Sequence, residues 1–211
     1  VNEEGDQILM EVIASSIRDS VHVDGAVILA MDAPYTDDGE MDKGSGEVCV
    51  PNRFVGEKTK LYPELYFGSS VHPNRSDALK ELAWSKENDA VLVKWLPNIQ
   101  NIDPSNERYI PYYQKLVDLD LPLLTHVGDE DSFSKTNNAL GDPQLLKLPL
   151  KHGVRVIAAH VASSGKSQGQ DNVERLLEMM EEFPNLVADL STITQTNRRK
   201  YLKTVLNDQR L

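Results

Sequence analysis

Short apolar segments rich in β-branched residues recur along this chain, and they constrain its fold more than any other feature. Their hydrophobicity does not alternate, which is typical of parallel strands covered on both faces. Segments of helical periodicity separate them, and prolines 63, 122 and 184 fall where a helix must stop before the next strand. The predicted strands are 25–31, 65–71, 90–95, 121–125, 154–159 and 186–190, and the predicted helices are 8–17, 53–61, 77–86, 109–118, 173–182 and 198–206.

This alternation predicts an α/β protein, either an open doubly wound sheet or a (β/α)₈ TIM-barrel-like parallel sheet. An open sheet usually carries a glycine-rich phosphate-binding turn after its first strand. The turn here reads Met-Asp-Ala-Pro at 31–34, which cannot cradle a pyrophosphate. The barrel therefore fits the sequence better.

Only six βα units are visible, and a complete barrel has eight. The chain opens and closes on predicted helices, so we expect an incomplete barrel whose first and last strands are missing. Those strands would be neighbours in a closed ring, so one gap accounts for both. We treat residues 1–211 as a single partial domain.

Charge and composition exclude several classes of function. The net charge is −11 and the longest basic cluster is 198–200, so we expect no nucleic-acid or membrane partner. The single cysteine, Cys49, excludes an intrachain disulfide and suits the reducing cytoplasm. No Gly-x-Ser-x-Gly elbow surrounds Ser69 or Ser70, and there is no Cys-x-x-Cys motif or P-loop.

Three predicted strands end in residues that can bind or modify a metal. Lys94, His126 and His160 lie 32 and 34 residues apart, about the length of one βα unit. Parallel α/β enzymes build their sites at the carboxyl ends of strands. Neutral imidazole is a good zinc ligand, and a lysine there either bridges metals after carbamylation or holds an anionic substrate. The alternatives are ordinary strand-end histidines and a lysine that reaches solvent.

Two further strand-end residues are weaker candidates. His72 precedes Pro73 and is predicted to contact substrate or to cap its strand; Asp189 is predicted to contact substrate or to orient a ligand. The loops 32–47 and 163–170 follow strands on the same face, so either is a candidate lid. His22 and His152 lie away from strand ends and are predicted to be surface residues.

The sequence resembles the amidohydrolase-related family of metal-dependent (β/α)₈ hydrolases and decarboxylases from about residue 24 to 207. The motifs are Val-His-Pro-Asn-Arg at 71–75, Val-Lys-Trp-Leu-Pro at 93–97, Pro-Leu-Leu-Thr-His-Val-Gly at 122–128, Val-Ile-Ala-Ala-His at 156–160 and Ala-Asp-Leu-Ser at 188–191. The resemblance implies that His126 is the fifth-strand metal ligand. It implies that His160 binds a second metal or acts on substrate, and that Lys94 occupies the position of a bridging carbamylated lysine.

The family also has a His-x-His pair on its first strand and an aspartate on its last, and this chain has neither. We therefore expect a divalent metal, zinc first, bound weakly by His126, His160 and Lys94. The predicted function is metal-dependent hydrolysis of a small molecule, inactive if the chain is truncated. Non-oxidative decarboxylation and a non-catalytic binding role are the alternatives. Uncovered sheet edges predict a homo-oligomer.

Overall fold

The computed structural model describes residues 3–42, 44 and 48–211. Six parallel strands form one sheet in the order β1-β2-β3-β4-β5-β8, and β6 and β7 form a separate antiparallel hairpin. The strands are β1 (Ala26–Leu29), β2 (Leu65–Ser69), β3 (Ala90–Trp95), β4 (Leu123–Thr125), β5 (Val156–Ala158), β6 (Lys166–Ser167), β7 (Gln170–Asp171) and β8 (Leu186–Ala188). The helices are α1 (Glu3–Arg18), α2 (Asn52–Thr59), α3 (Ala78–Glu87), α4 (Pro97–Gln100), α5 (Ile110–Asp118), α6 (Lys147–Lys151), α7 (Asn172–Glu182) and α8 (Leu202–Leu206).

The strand order confirms the predicted incomplete barrel. Each long strand pairs in parallel with the next along the chain, with no reversal of order of the kind that defines a doubly wound sheet. Among the described residues β1 and β8 have no second neighbour, so the sheet stays open. The strand predicted at 90–95 has the same bounds as the observed β3. The other five observed strands are shorter than predicted at one or both ends.

The main core lies between the outer face of the sheet and the helices. Trp95 stacks on Tyr112 with ring centroids 6.0 Å apart, and Phe67 meets Trp84 edge to face. A second, smaller cluster buries Met10 of α1 against the start of β2. Helices therefore cover one face of every long strand, as the continuous apolar segments predict.

The opposite, inner face of the sheet is partly exposed at its edges. A Cβ at Gly68 would touch the side chains of Val27 and Leu29, which places these residues on one face. Val27 is 37% exposed, and Tyr66 and Val187 are each 48% exposed. Packing on both faces, as the sequence predicts, therefore fails at the edge strands β1 and β8 and at Tyr66 of the neighbouring strand β2.

The segment between β4 and β5 differs from the regular βα pattern. In place of one long helix, two 3₁₀ turns precede the five-residue helix α6. Pro143 begins the second turn and Pro149 lies within α6. Neither proline has an N–H to donate, so a long helix cannot run through this segment.

The two predicted lid loops are anchored to their neighbours. In the first, Met31 bridges to Val50 and Tyr35 to Met41, while residues 43 and 45–47 lie outside the described part of the chain. The second is the β6–β7 hairpin rather than an irregular loop. No helix in the described ranges has both the length and the apolar character that crossing a bilayer requires.

Candidate functional site

Two histidines meet at the carboxyl ends of adjacent strands. β4 and β5 pair in register, with Thr125 beside Ala158, and each strand is followed within two residues by a histidine. The ring centroids of His126 and His160 are 5.4 Å apart, and the ring planes are inclined by 62°. The structure therefore brings together the two imidazoles that the strand-end pattern predicts.

His126 carries a free nitrogen in a buried position. The residue is only 3% exposed, and no described group lies within hydrogen-bonding distance of its Nε2. Its Nδ1 is 3.7 Å from Oε2 of Glu130. Burial, followed by the nearby charge of Lys94, lowers the pKa of His126 to about 4. The ring is therefore neutral at pH 7, and a neutral imidazole offers a lone pair to a ligand.

A hydrogen-bonded relay orients His160. Its Nδ1 lies 2.7 Å from Oγ of Ser191, and that hydroxyl donates its own proton to Oδ1 of Asp189. Since the hydroxyl proton is already donated, Nδ1 must carry the proton of the imidazole. The lone pair of His160 is thereby assigned to Nε2. Burial and the charge of Lys94 lower the pKa of His160 as well.

Asp189 also holds the backbone of this region. Its Oδ1 accepts hydrogen bonds from the backbone N–H groups of His160 at 3.0 Å and Ser191 at 2.9 Å. Burial raises the pKa of the Asp189 carboxyl, but the hydrogen bonds from Ser191 and His160 outweigh it and lower the pKa overall. These contacts give Asp189 an orienting role, and its contact with substrate stays a prediction.

The turn that carries His160 is strained. His160, Val161 and Ala162 have φ values of +61°, +46° and +50°, in the left-handed region that non-glycine residues rarely adopt. Each such residue costs on the order of 1–2 kcal/mol. The hydrogen bond from His160 N–H to Asp189 holds the turn at its first residue, and Ser163 N–H donates to the carbonyl of His160 at 2.9 Å.

Lys94 adds a buried positive charge to the site. It lies on β3 next to β4 and is only 7% exposed. Burial lowers its pKa to about 8, although the charges of Asp189 and Glu130 act in the opposite direction. The predicted site residues Lys94, His126, His160 and Asp189 thus lie in one electrostatic cluster.

Close backbone packing fixes the loops that follow the two histidines. Gly128 has a φ of +95°, and a Cβ there would lie 2.6 Å from the carbonyl oxygen of Ser164. Gly165 has a φ of +72°, and a Cβ there would overlap the carboxylate of Asp129. Ser164 Oγ donates to the carbonyl of Asp129 at 2.8 Å. Glycine is required at both positions, because any side chain would push the loops apart.

His72 belongs to a different environment. It is fully buried; its Nε2 lies 2.9 Å from the carbonyl oxygen of Gln100, and its Nδ1 accepts from the N–H of Asn74 at 3.1 Å. Its ring contacts Tyr35, with centroids 5.3 Å apart. Both ring nitrogens are occupied, so the structure supports the strand-capping alternative rather than substrate contact.

Three residues of the site are missing from the sequence-based prediction. Glu130 follows His126 by four residues, and Ser191 follows Asp189 by two, so searching each post-strand loop for partners would have found both. Arg198 donates from Nη1 to Oγ of Ser163 at 3.2 Å. No spacing rule predicts this contact, because Arg198 approaches from the segment before α8.

Comparison with known proteins identifies the family. The family model described as Amidohydrolase matches residues 47–210. The chain belongs to this amidohydrolase family. No curated protein matches the chain. The predicted membership is confirmed, and it agrees with the placement of the two histidines at strand ends.

A solved structure has a similar fold. The crystal structure of a Pseudomonas putida protein assigned as a 2-pyrone-4,6-dicarboxylic acid hydrolase aligns with a TM-score of 0.53 at 13% identity. The alignment covers 74% of this chain and 55% of the Pseudomonas chain, so this chain spans about half the length of that protein. At this identity the likeness shows the fold alone.

The histidine pair can supply part of a metal site. The free, buried Nε2 of His126 and the lone pair on Nε2 of His160 are donors that zinc-type ions prefer. Such ions usually take three or four protein ligands. Within residues 3–42, 44 and 48–211, no group of three His, Cys, Asp or Glu side chains is placed to hold an ion. The described residues therefore provide two donors.

Proposed function

We propose that this protein hydrolyses a small carbonyl compound at the site formed by Lys94, His126 and His160. One observation carries the proposal, namely that the buried Nε2 of His126 has no partner among the described groups, in a ring whose centroid lies 5.4 Å from that of His160. Leaving a buried polar atom unpaired costs about 1–3 kcal/mol, so such an atom points to a ligand.

The chain's own residues divide the chemistry. With its proton on Nδ1, His160 keeps Nε2 as the group that binds an ion or accepts a proton from water. Lys94, with a pKa of about 8, is mostly protonated at pH 7 and attracts a carbonyl oxygen that gains negative charge during attack. Relay contacts from Asp189 and Ser191 keep His160 in this state.

We include a divalent metal, zinc first, in the proposal. His126 and His160 would hold it, and the remaining positions would be taken by water, by substrate or by groups that are not among the described residues. When bound, such an ion supplies an activated water at neutral pH.

The decisive experiment measures hydrolysis and metal content together. The purified protein is freed of metal with a chelator, reloaded with Zn²⁺ or Mn²⁺, and assayed on lactones, esters and amides that include 2-pyrone-4,6-dicarboxylate. We expect acid release that depends on metal and is lost in His126→Asn. The matched control His22→Asn changes an exposed histidine away from the site and should keep full activity.

Two results would count against the proposal. The proposal of a hydrolase would be rejected if the folded protein turned over none of the compounds and bound no metal. Release of CO₂ in place of acid would indicate the decarboxylase alternative instead.

Self-association is part of the proposal as well. Val27, Leu29 and Tyr66 leave apolar side chains exposed on the inner face of the sheet, which favours association. Sedimentation equilibrium at several protein concentrations measures the mass directly. A monomer at every concentration would contradict this part of the proposal.

A further inference from the structure

Two side-chain amides join the segment after β3 to the segment after β4. Asn98 lies in α4, which begins two residues after β3 ends, and it is only 2% exposed. Its Nδ2 donates to the carbonyl oxygen of Gly128 at 3.0 Å and to Oδ1 of Asn138 at 3.0 Å. Its backbone carbonyl accepts from the N–H of Asn137 at 2.8 Å. Asn98 thus makes three hydrogen bonds to the segment that follows His126.

The partners of the two amides fix their orientations. Both partners of Asn98 are oxygen acceptors, so an exchange of its amide nitrogen and oxygen would place oxygen against oxygen twice. Oδ1 of Asn138 accepts from Nδ2 of Asn98 and from the backbone N–H of Glu130 at 2.9 Å. An exchange there would place N–H groups against N–H groups. The bridge therefore runs from Asn98 through Asn138 to the backbone of Glu130.

Glu130 lies at the end of this bridge, beside the ring of His126. Its backbone is held by Asn138, and its Oε1 accepts from the N–H of Ser132 at 2.7 Å. Its other oxygen, Oε2, lies 3.7 Å from Nδ1 of His126. These contacts keep the carboxylate of Glu130 on the Nδ1 side of the ring.

This placement selects one tautomer of His126. A proton on Nε2 would be a buried donor with no acceptor among the described residues, whereas a proton on Nδ1 lies near a carboxylate oxygen. At 3.7 Å the attraction is electrostatic, since a hydrogen bond would be shorter. The carboxylate therefore favours the proton on Nδ1 and leaves the lone pair on Nε2, which is the nitrogen that the proposed reaction uses.

We propose that Asn98 is a positioning residue that acts through Asn138 and Glu130 to keep Nε2 of His126 unprotonated and open to a ligand. This inference rests on the proposed function, because it concerns the same histidine. Through Gly128, two residues after His126, the same amide also holds the backbone beside the ring. Both effects have one origin, because a single Nδ2 donates to both acceptors.

Asn185 offers a matched control at the opposite end of the sheet. It immediately precedes β8, and its Nδ2 donates to the carbonyl oxygens of Leu150 at 3.0 Å and Val154 at 2.7 Å. Its hydrogen bonding is like that of Asn98, but it lies at the amino end of a strand and not at the carboxyl end that carries His126. A loss that follows only from breaking two such hydrogen bonds should therefore be similar at both positions.

The test uses aspartate variants, in which one amide nitrogen becomes an oxygen and the shape is kept. Asn98→Asp loses both donated hydrogen bonds and keeps Oδ1, which has no partner in the described chain. We expect ¹⁵N spectra of the metal-free protein at pH 7 to show one His126 tautomer in the wild type and a mixture in Asn98→Asp. On a compound that the wild type hydrolyses, kcat should fall by about tenfold to a hundredfold while KM changes by less than about threefold.

Further variants separate positioning from loss of stability and from added charge. Asn185→Asp should lower the urea midpoint as Asn98→Asp does, but should leave the His126 spectrum and kcat unchanged. Asn138→Asp adds the same charge and keeps the accepting Oδ1, so it should retain the wild-type spectrum. Asn138→Ala removes that acceptor at a half-buried position and should reproduce the spectrum of Asn98→Asp, even if Asn98→Asp itself does not fold.

Several results would overturn the inference. These are a wild-type protein in which His126 is not protonated mainly on Nδ1, an unchanged spectrum in folded Asn98→Asp or Asn138→Ala, and an equal change of the spectrum in Asn185→Asp or Asn138→Asp. Circular dichroism establishes that each variant is folded. Loss of the single tautomer in Asn98→Asp, without hydrolysis of any compound by the wild type, would retain the positioning role and reject the proposed reaction.

Discussion

The carboxyl end of β2 and the carboxyl end of β4 present histidines that are similar in burial and different in bonding. His72 is 0% exposed and His126 is 3% exposed, and burial lowers the pKa of each to about 4. Both nitrogens of His72 are hydrogen-bonded to backbone groups, whereas Nε2 of His126 has no partner in the described structure.

This difference separates a structural histidine from one that is available to a ligand. A strand-end position, deep burial and a lowered pKa are common to both residues, so none of these properties identifies a site. The hydrogen bonds of each ring nitrogen do identify a site, because a buried polar atom normally has a hydrogen-bond partner. The four predictions below test this distinction, and the largest expected effect comes first.

Replacing His126 with asparagine should lower kcat/KM by about a thousandfold, the size typical of losing a catalytic or ligating group. The free energy of unfolding should change by less than about 1 kcal/mol, because no hydrogen bond to Nε2 is lost. Steady-state kinetics and urea unfolding measure the two quantities. A large loss of stability with unchanged activity would reverse the assignment.

Replacing His72 with alanine should lower the free energy of unfolding by about 4 kcal/mol. The substitution leaves the carbonyl of Gln100 and the N–H of Asn74 unpaired and creates a cavity. Activity per folded molecule should be retained. If kcat/KM falls while chemical denaturation is unchanged, His72 contacts substrate after all.

Acid should destabilise the protein through both histidines. Their pKa of about 4 in the folded state lies below the ordinary value of 6.5, so the unfolded chain takes up protons that the folded chain does not. Their contribution is complete above pH 6.5 and is lost as the pH falls toward 4. Each accounts for up to about 3 kcal/mol.

Urea unfolding across this pH range tests the sign and the size. As the pH falls from 6.5 to 4, the free energy of unfolding should fall by about 1.4 kcal/mol per pH unit for each histidine that takes up a proton on unfolding. His72→Gln and His126→Gln should each remove one such contribution from this slope. Above pH 6.5 the two histidines should cause no further change in the free energy of unfolding of the wild-type protein. Stability that rises on acidification would contradict the prediction.

Replacing Ser191 with alanine should have the smallest effect, about a tenfold loss of kcat with little change in KM. The substitution removes the hydroxyl that fixes the proton on Nδ1 of His160. ¹⁵N spectra should show a mixture of ring tautomers in Ser191→Ala and one tautomer in the wild type. An unchanged spectrum would mean that other contacts orient the ring.

The elements of the fold follow from local sequence. Continuous apolar segments produce β1 to β5 and β8, because runs that are apolar on both faces suit a buried parallel sheet. The regular spacing also places Lys94, His126 and His160 at one end of that sheet. Both features depend on side-chain periodicity and chain length, which are readable from the sequence.

The loop at 163–170 shows where local patterns are insufficient. It forms a hairpin, and Gly128 and Gly165 allow it to pack closely against the loop that follows His126. This packing depends on contacts between segments that are distant in sequence, whereas prolines 143 and 149 break the segment between β4 and β5 by local chemistry.

By itself the sequence determined the parallel sheet, its strand order and which residue types end each strand. These features depend on the periodicity of apolar side chains and on the length of chain between successive strands. Only the tertiary structure decided which polar atoms were paired. Both nitrogens of His72 are hydrogen-bonded, Nε2 of His126 has no partner among the described residues, and Arg198 donates to Ser163. Hydrogen bonds act over about 3 Å, so their partners are set by the packing of whole elements.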